Sequence, residues 1–187
     1  EAAGTRDHVS TAATYAPGSR TVPIDMCSKR EASAFMRVCH DDLMEKGLDF
    51  WWVDGTSGSI NGGHSQLVTN KIFFEHSQKG KRRGMLLSRY GGLGSHRYGV
   101  FFTGDTFCHW QVLQTECEFN IRAGHLGIAY VSHDIGGLNH QRAPLMQPNL
   151  YVRWVQFGVF NPVFRFHSMP GAGSRLPWDY GDVNLEI

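Results

Sequence analysis

Six polar side chains stand out in this 187-residue sequence because each falls at or just beyond the end of a predicted strand. Asp54 closes a strand beginning at Asp49, Arg89 closes one beginning at Gly84, and Asp105 follows the aromatic run Tyr98 to Thr103. Asp134 ends a strand from Ile128, and Arg165 and His167 end one from Val163. Two carboxylates flanking one bond are what glycoside cleavage requires: one attacks the anomeric carbon or activates water, and the other protonates the leaving oxygen. General acid/base assistance of that kind is worth about 10²–10⁴ in rate. Arginine adds a rigid fork of donors for hydroxyls and carboxylates, and a neutral histidine both donates and accepts. The twofold period of a strand sets Phe50, Trp52 and Asp54 on one face, so a flat stacking surface stands beside a carboxylate.

Each of these residues also has a blander reading. An aspartate after a strand is commonly a helix cap, and Thr103-Gly104-Asp105-Thr106 taken alone has the composition of one. His133-Asp134 would need further ligands at fixed spacing to hold a metal, and no helical His-x-x-x-His pair supplies them. Tyr90-Gly91-Gly92-Leu93-Gly94-Ser95 lacks the lysine of a phosphate-binding loop. Trp51 and Trp52 alone read as core. The conjunction of charged and polar residues at successive strand ends favours a site.

The elements that must position these residues alternate. Ser28-Lys29-Arg30-Glu31 is a capping box, followed by one apolar helical stripe through Ala32, Phe35, Met36, Cys39 and Leu43, with Gly47 as left-handed stop. A helix over 67–77, closed by Gly80, precedes the second strand. One over 106–122 carries Trp110, Leu113, Cys117 and Ile121 along a side, and another spans 149–160. Strands alternating with helices predict a parallel α/β architecture. The short join from Tyr90 to Arg97 by itself reads as a hairpin, because a parallel crossover usually takes a dozen residues. Residues 1–27 form an irregular N-terminal segment, and order begins at Ser28.

Composition bounds the partners. A formal net charge of +1 gives no electrostatic case for nucleic acid or an acidic membrane, and no apolar run reaches the roughly 20 residues of a membrane span. The four cysteines, Cys27, Cys39, Cys108 and Cys117, form no Cys-x-x-Cys pair and read as buried free thiols. Neither compartment nor oligomeric state is legible. With no start methionine and no signal-like apolar segment in its first residues, the sequence reads as cut from something longer.

Four motifs in order resemble glycoside hydrolase family 31, the α-glucosidase and α-xylosidase family. Phe50-Trp51-Trp52-Val53-Asp54 is similar to its nucleophile strand, and Ser88-Arg89-Tyr90-Gly91-Gly92 through Thr103-Gly104-Asp105 to its arginine-to-acid/base stretch. Ser132-His133-Asp134-Ile135-Gly136-Gly137 and Arg153 to Pro162 with Arg165-Phe166-His167 are similar to its last two. The resemblance implies a partial (β/α)8 TIM barrel, strands four to eight of a catalytic domain, over residues 28–187. It implies a retaining, exo-acting α-glycoside hydrolase, α-glucosidase first, with α-xylosidase, α-galactosidase, sulfoquinovosidase, transglycosidase or a non-catalytic carbohydrate-binding relative as alternatives. Asp54 would be the nucleophile and Asp105 the acid/base; Arg89, Asp134, Arg165 and His167 would hold sugar hydroxyls, with Trp52 and Phe102 as walls. The partner would be an oligosaccharide or glycoside, with no metal or organic cofactor. The Tyr90–Arg97 join would be a barrel loop. Gly55-Thr56-Ser57, Phe102 and Leu138 depart from the family's usual bulkier residues, which alters the subsite walls. Five of eight strands leave sheet edges unpaired, so the chain alone is expected to be inactive and poorly soluble.

Overall fold

The computed structural model describes residues 24–54, 65–78, 82–89, 91–138 and 146–181. Gly55-Thr56-Ser57, Gly80, Tyr90 and most of the N-terminal segment lie outside these. The described residues fall into two compact units, divided between Gly99 and Val100.

The first unit holds α1 (Lys29–Cys39), α2 (Asp41–Glu45), β1 (Trp51–Val53), α3 (Ser65–Ser77) and β2 (Leu86–Ser88). The Ser28 hydroxyl accepts the Glu31 N–H at 3.4 Å, which is half of a capping box. The other half differs from expectation: the Glu31 carboxylate takes the N–H of Asp25, at 2.9 Å, because the Ser28 N–H is already bonded to the Asp25 carbonyl. The expected single helix through Leu43 is broken at His40, whose φ of −129° leaves the helical region. The break places the His40 ring edge-on to Phe35, Trp51 and Phe73, with centroids 4.6, 4.7 and 5.1 Å away. The apolar stripe fails on both sides of the break: Cys39 before it and Leu43 after it are exposed. Gly47, at φ 105°, ends α2 as expected.

β1 and β2 run parallel with Trp51 opposite Leu86 and Val53 opposite Ser88. Trp51 and Val53 point into a core with Met26, Ala32, Met36, Phe73 and Leu86, while Trp52 is turned the other way and exposed. The Trp51 indole N–H is satisfied by His76 Nδ1 at 3.1 Å, and His76 Nε2 in turn meets Asp41 Oδ1 at 2.7 Å. A single 3₁₀ turn, Ser95–Arg97, entered through Gly94 at φ 83°, occupies the join where a tight hairpin turn was the local expectation.

The second unit holds β3 (Val100–Phe102), α4 (Trp110–His125), β4 (Val131–Ser132) and α5 (Pro148–Gly158). β3 and β4 are parallel, Phe101 opposite Val131 and Phe102 opposite Ser132. The expected strand Val163–His167 is reduced to two parallel bridges, Ser132 with Val163 and Ile135 with Phe166. Pro162, directly before it, has no N–H to extend the ladder. α4 starts at Trp110 rather than Thr106, and its buried side is Leu113, Glu116 and Ala123. Trp110, Cys117 and Ile121, expected along the core side, face solvent. The core joins Leu113, Cys108, Ile135, Met146, Leu150 and Trp154. Of the four cysteines only Cys108 is buried; Cys27, Cys39 and Cys117 are exposed, against expectation, the latter two on solvent sides of α1 and α4. Among the described residues no helix is long and apolar enough to cross a membrane.

Candidate active site

In the first unit, Asp54 directly follows β1 and Arg89 directly follows β2, so the parallel register brings both to the same carboxyl end. The Arg89 N–H bonds the Val53 carbonyl at 3.0 Å, which extends the ladder by one residue and fixes the position of its side chain. Arg89 Nη1 then meets Asp54 Oδ1 at 3.2 Å. Both side chains keep access to water, so this pair orients the carboxylate more than it stabilises the fold. Trp52, exposed and two residues before Asp54, lies on the Asp54 side of the strand.

In the second unit, Asp105 stands three residues past β3 and Asp134 two past β4, again at one end of a parallel pair. Asp105 does not cap α4, whose N-cap is His109. Asp134 is fully buried and is bonded by Arg165 Nη2 through Oδ1. Its other oxygen, Oδ2, is buried without a hydrogen-bond partner. Burial pushes the Asp134 carboxyl up from the ordinary carboxylate range; the charges of Arg165 and His167 oppose this, and the Asp105 charge adds to it. Asp105, Asp134, Arg165 and His167 are therefore electrostatic neighbours. The Arg165 guanidinium lies over the Phe102 ring, 5.1 Å from its centroid, and Phe102 is itself only 3% exposed. Phe102 thus supports Arg165, and its ring is covered rather than open.

Two glycines hold the backbone beyond Asp134. Gly136 and Gly137 have φ of 92° and 73°, which L side chains rarely adopt. A Cβ on Gly137 would meet the Phe107 carbonyl carbon at 2.9 Å and the Cys108 nitrogen at 3.0 Å. The Gly137 carbonyl accepts from buried Arg175, through Nη2 at 2.9 Å and Nε at 3.2 Å.

Behind Asp105 and Asp134 lies a buried polar chain that reading the sequence missed. Glu116 Oε1 accepts from the hydroxyls of Thr103 and Thr106 at 3.2 and 3.4 Å, and Oε2 from the Trp154 indole at 2.9 Å. Thr103 Oγ1 is 2.9 Å from His133 Nδ1, and His133 Nε2 is 2.9 Å from Asn120 Oδ1. The signal was present as Leu113, Glu116, Asn120 and Ala123 at helical spacing, but two of the four are polar. Among the described residues no group of three His, Cys, Asp or Glu is placed to hold a metal ion.

The family model described as Glycosyl hydrolases family 31 TIM-barrel domain matches residues 3–187. The chain belongs to glycoside hydrolase family 31. Its parallel strand pairs with helices are part of the family 31 barrel, and the four described strands are fewer than the eight that close one. It is 36% identical over 110 residues to the probable glucan 1,3-alpha-glucosidase of Arabidopsis thaliana, covering 59% of this chain and 12% of that protein. It is 32% identical over 137 residues to neutral alpha-glucosidase C of Mus musculus, covering 73% of this chain and 15% of that protein. The chain thus spans less than a fifth of the length of either relative. Among solved structures it shares its fold with the family 31 dextranase of Flavobacterium johnsoniae, with a TM-score of 0.71 and 21% identity, over 87% of this chain and 23% of that one.

Proposed function

We propose that this chain carries the catalytic centre of a retaining, exo-acting α-glycosidase, with α-glucosidase as the activity. The observation that carries the reading is the repeated placement of a carboxylate at the carboxyl end of a parallel strand pair. Asp54 stands there with Arg89, and Asp105 with the Asp134, Arg165 and His167 group. The α-glucosidase assignment is supported by the names of the relatives at 32–36% identity.

Asp54 attacks C1 of the sugar while Asp105 gives its proton to the departing glycosidic oxygen, which leaves a β-glycosyl ester on Asp54. Asp105, now a carboxylate, takes a proton from the incoming water, whose oxygen attacks C1 and releases Asp54. Two inversions give net retention. Arg89 turns the Asp54 carboxylate toward its target. Asp134 accepts a sugar hydroxyl through Oδ2, which relieves a buried acceptor otherwise costing about 1–3 kcal/mol. Arg165 and His167 hold neighbouring hydroxyls, Phe102 backs Arg165, and Trp52 offers a stacking face.

The test is made in the full-length protein. Asp54→Ala abolishes turnover of an aryl α-glucoside, and added azide restores it with a β-azide product. Asp105→Ala keeps fast glycosylation from aryl glycosides whose leaving groups need no proton, and azide then gives the α-azide. Equal losses on activated and natural substrates in Asp105→Ala would remove Asp105 from the acid/base role. Comparing aryl α-glucoside with aryl α-xyloside in the same assay tests the sugar: faster turnover of the xyloside overturns the α-glucosidase assignment.

A further inference from the structure

Cys108 stands three residues past Asp105, and Gly137 stands three past Asp134. The two loops meet at these residues. A Cβ on Gly137 would come within 2.9 Å of the Phe107 carbonyl carbon and 3.0 Å of the Cys108 nitrogen, so the two backbones pack with nothing between them. The Gly137 N–H bonds the Asp134 carbonyl at 2.7 Å, which ties the contact directly to Asp134. One nitrogen then holds both sides. Arg175 Nη2 donates to the Gly137 carbonyl at 2.9 Å and to the Cys108 sulfur at 3.0 Å. Nε adds a second bond to Gly137 at 3.2 Å, and Nη1 reaches the carbonyls of Ala172, Gly173 and Ser174 at 3.1, 3.3 and 3.1 Å. Every N–H of this buried guanidinium is thus placed on an acceptor within the protein, and none is left to bind a sugar.

The two loops depend on this junction to different degrees. Asp134 is held independently: β4 pairs with β3, the Ile135 N–H bonds the Arg165 carbonyl at 3.1 Å, and Arg165 bonds Asp134 Oδ1. The Asp105 loop bridges the end of β3 at Phe102 and the start of α4 at Trp110. Thr103 and Thr106 fasten its near half to Glu116, and Cys108 fastens its far end. Burial raises the Cys108 thiol in spite of the Arg175 charge, so the sulfur keeps its hydrogen and directs it to the Gly137 carbonyl, 3.6 Å away. We infer that Arg175 is a positioning residue for general acid/base catalysis: its grip on Gly137 and Cys108 sets the Asp105 loop against the loop that carries Asp134. The inference rests on the acid/base reading of Asp105.

The test uses kcat/KM of the full-length protein, which reports the first chemical step. Arg175→Lys keeps the charge but gathers its donors on one nitrogen, which cannot span Gly137, Cys108 and the 172–174 carbonyls together. It loses about 10–100-fold on glycosides with poor leaving groups, the scale of a catalytic group displaced by up to about 1 Å. On dinitrophenyl glycosides, whose departure needs no proton, the loss stays within about 3-fold. Cys108→Ala removes the contact on the Asp105 side alone and shows the same pattern at about 3–10-fold, a smaller displacement. Cys108→Ser restores an acceptor and a hydrogen at that position and recovers most of the loss.

Three results overturn the inference: equal losses on both substrate classes in Arg175→Lys, undiminished activity of Arg175→Lys on poor leaving groups, or Cys108→Ser no better than Cys108→Ala. Should Arg175→Lys fail to fold, the two Cys108 variants decide by the same comparison of substrates. Asp105→Ala is the control. If it lacks leaving-group dependence, the acid/base reading falls and this inference with it; if it shows that dependence, equal losses in the Arg175 and Cys108 variants refute the positioning role alone.

Discussion

Arg165→Met tests the electrostatics of the site through stability alone. In the wild type, burial lifts the Asp134 carboxyl, and the Arg165 guanidinium is the strongest influence pulling it back. Methionine preserves most of the side-chain volume but leaves a fully buried carboxylate without that charge or its hydrogen bond. Breaking a buried pair by removing one partner costs about 3–5 kcal/mol. For a domain of 150–250 residues that is a fall in Tm of roughly 6–20 °C, at about 2–4 °C per kcal/mol. The loss depends on pH in a fixed direction. A carboxyl raised in the folded state binds a proton that the unfolded chain has given up, so stability declines as pH climbs from the ordinary aspartate value, about 3.9, through the folded one. Removing Arg165 raises the folded value further and widens that window upward. The variant's deficit should therefore be small near pH 4 and full at pH 7.5. Asp134→Asn combined with Arg165→Met removes both charges and should recover most of the loss. Thermal melts of the three proteins at the two pH values make the measurement. An equal deficit at both, or a double variant as unstable as Arg165→Met, would show that the buried charge is not the source of the loss.

Other outcomes follow from single contacts. Gly137→Ala should cost about 2–4 kcal/mol in urea unfolding, from the left-handed backbone together with a Cβ driven against Phe107 and Cys108. Trp154→Phe leaves Glu116 Oε2 without its donor and should lose about 1–3 kcal/mol by the same assay, more than its small change in volume explains. Tyr151 and Tyr180 are stacked face to face, with centroids 3.7 Å apart, and burial pushes both hydroxyls above the ordinary tyrosine value. In an alkaline absorbance titration these two should stay silent until the protein unfolds; a smooth ionisation of every tyrosine near pH 10 would contradict their burial.

The strand ends were legible in the sequence because aromatic and aliphatic runs there stop at single charged residues, and the parallel pairing brings those residues to common ends. The helix faces were less legible. Apolar periodicity chose Trp110, Cys117 and Ile121 on α4, whereas the chain buries Glu116 and turns those three outward. A carboxylate satisfied by two threonines and an indole leaves no trace in hydropathy, since its partners lie 10 to 38 residues away in sequence. The break at His40 was hidden for a related reason. Histidine is compatible with a helix, and only the aromatic edges of Phe35, Trp51 and Phe73 draw it out. The cap reading of Asp105 fails because α4 begins at Trp110, with His109 as its N-cap, a boundary that apolar spacing did not mark.

Arg175 has a different kind of environment from Arg165. Its hydrogen bonds run to the carbonyls of Gly137, Ala172, Gly173 and Ser174 and to the Cys108 sulfur, all uncharged acceptors. The guanidinium is solvated much as a cation is in a cage of carbonyl oxygens, with backbone dipoles in place of water. The segment after Asp134 is thereby moored to the segment around Ser174 by bonds that need no carboxylate. Acidification that protonates Asp134 would loosen its hold on Arg165 and leave this mooring untouched. The scaffold is in this respect insulated from the titrations that its own active-site residues undergo.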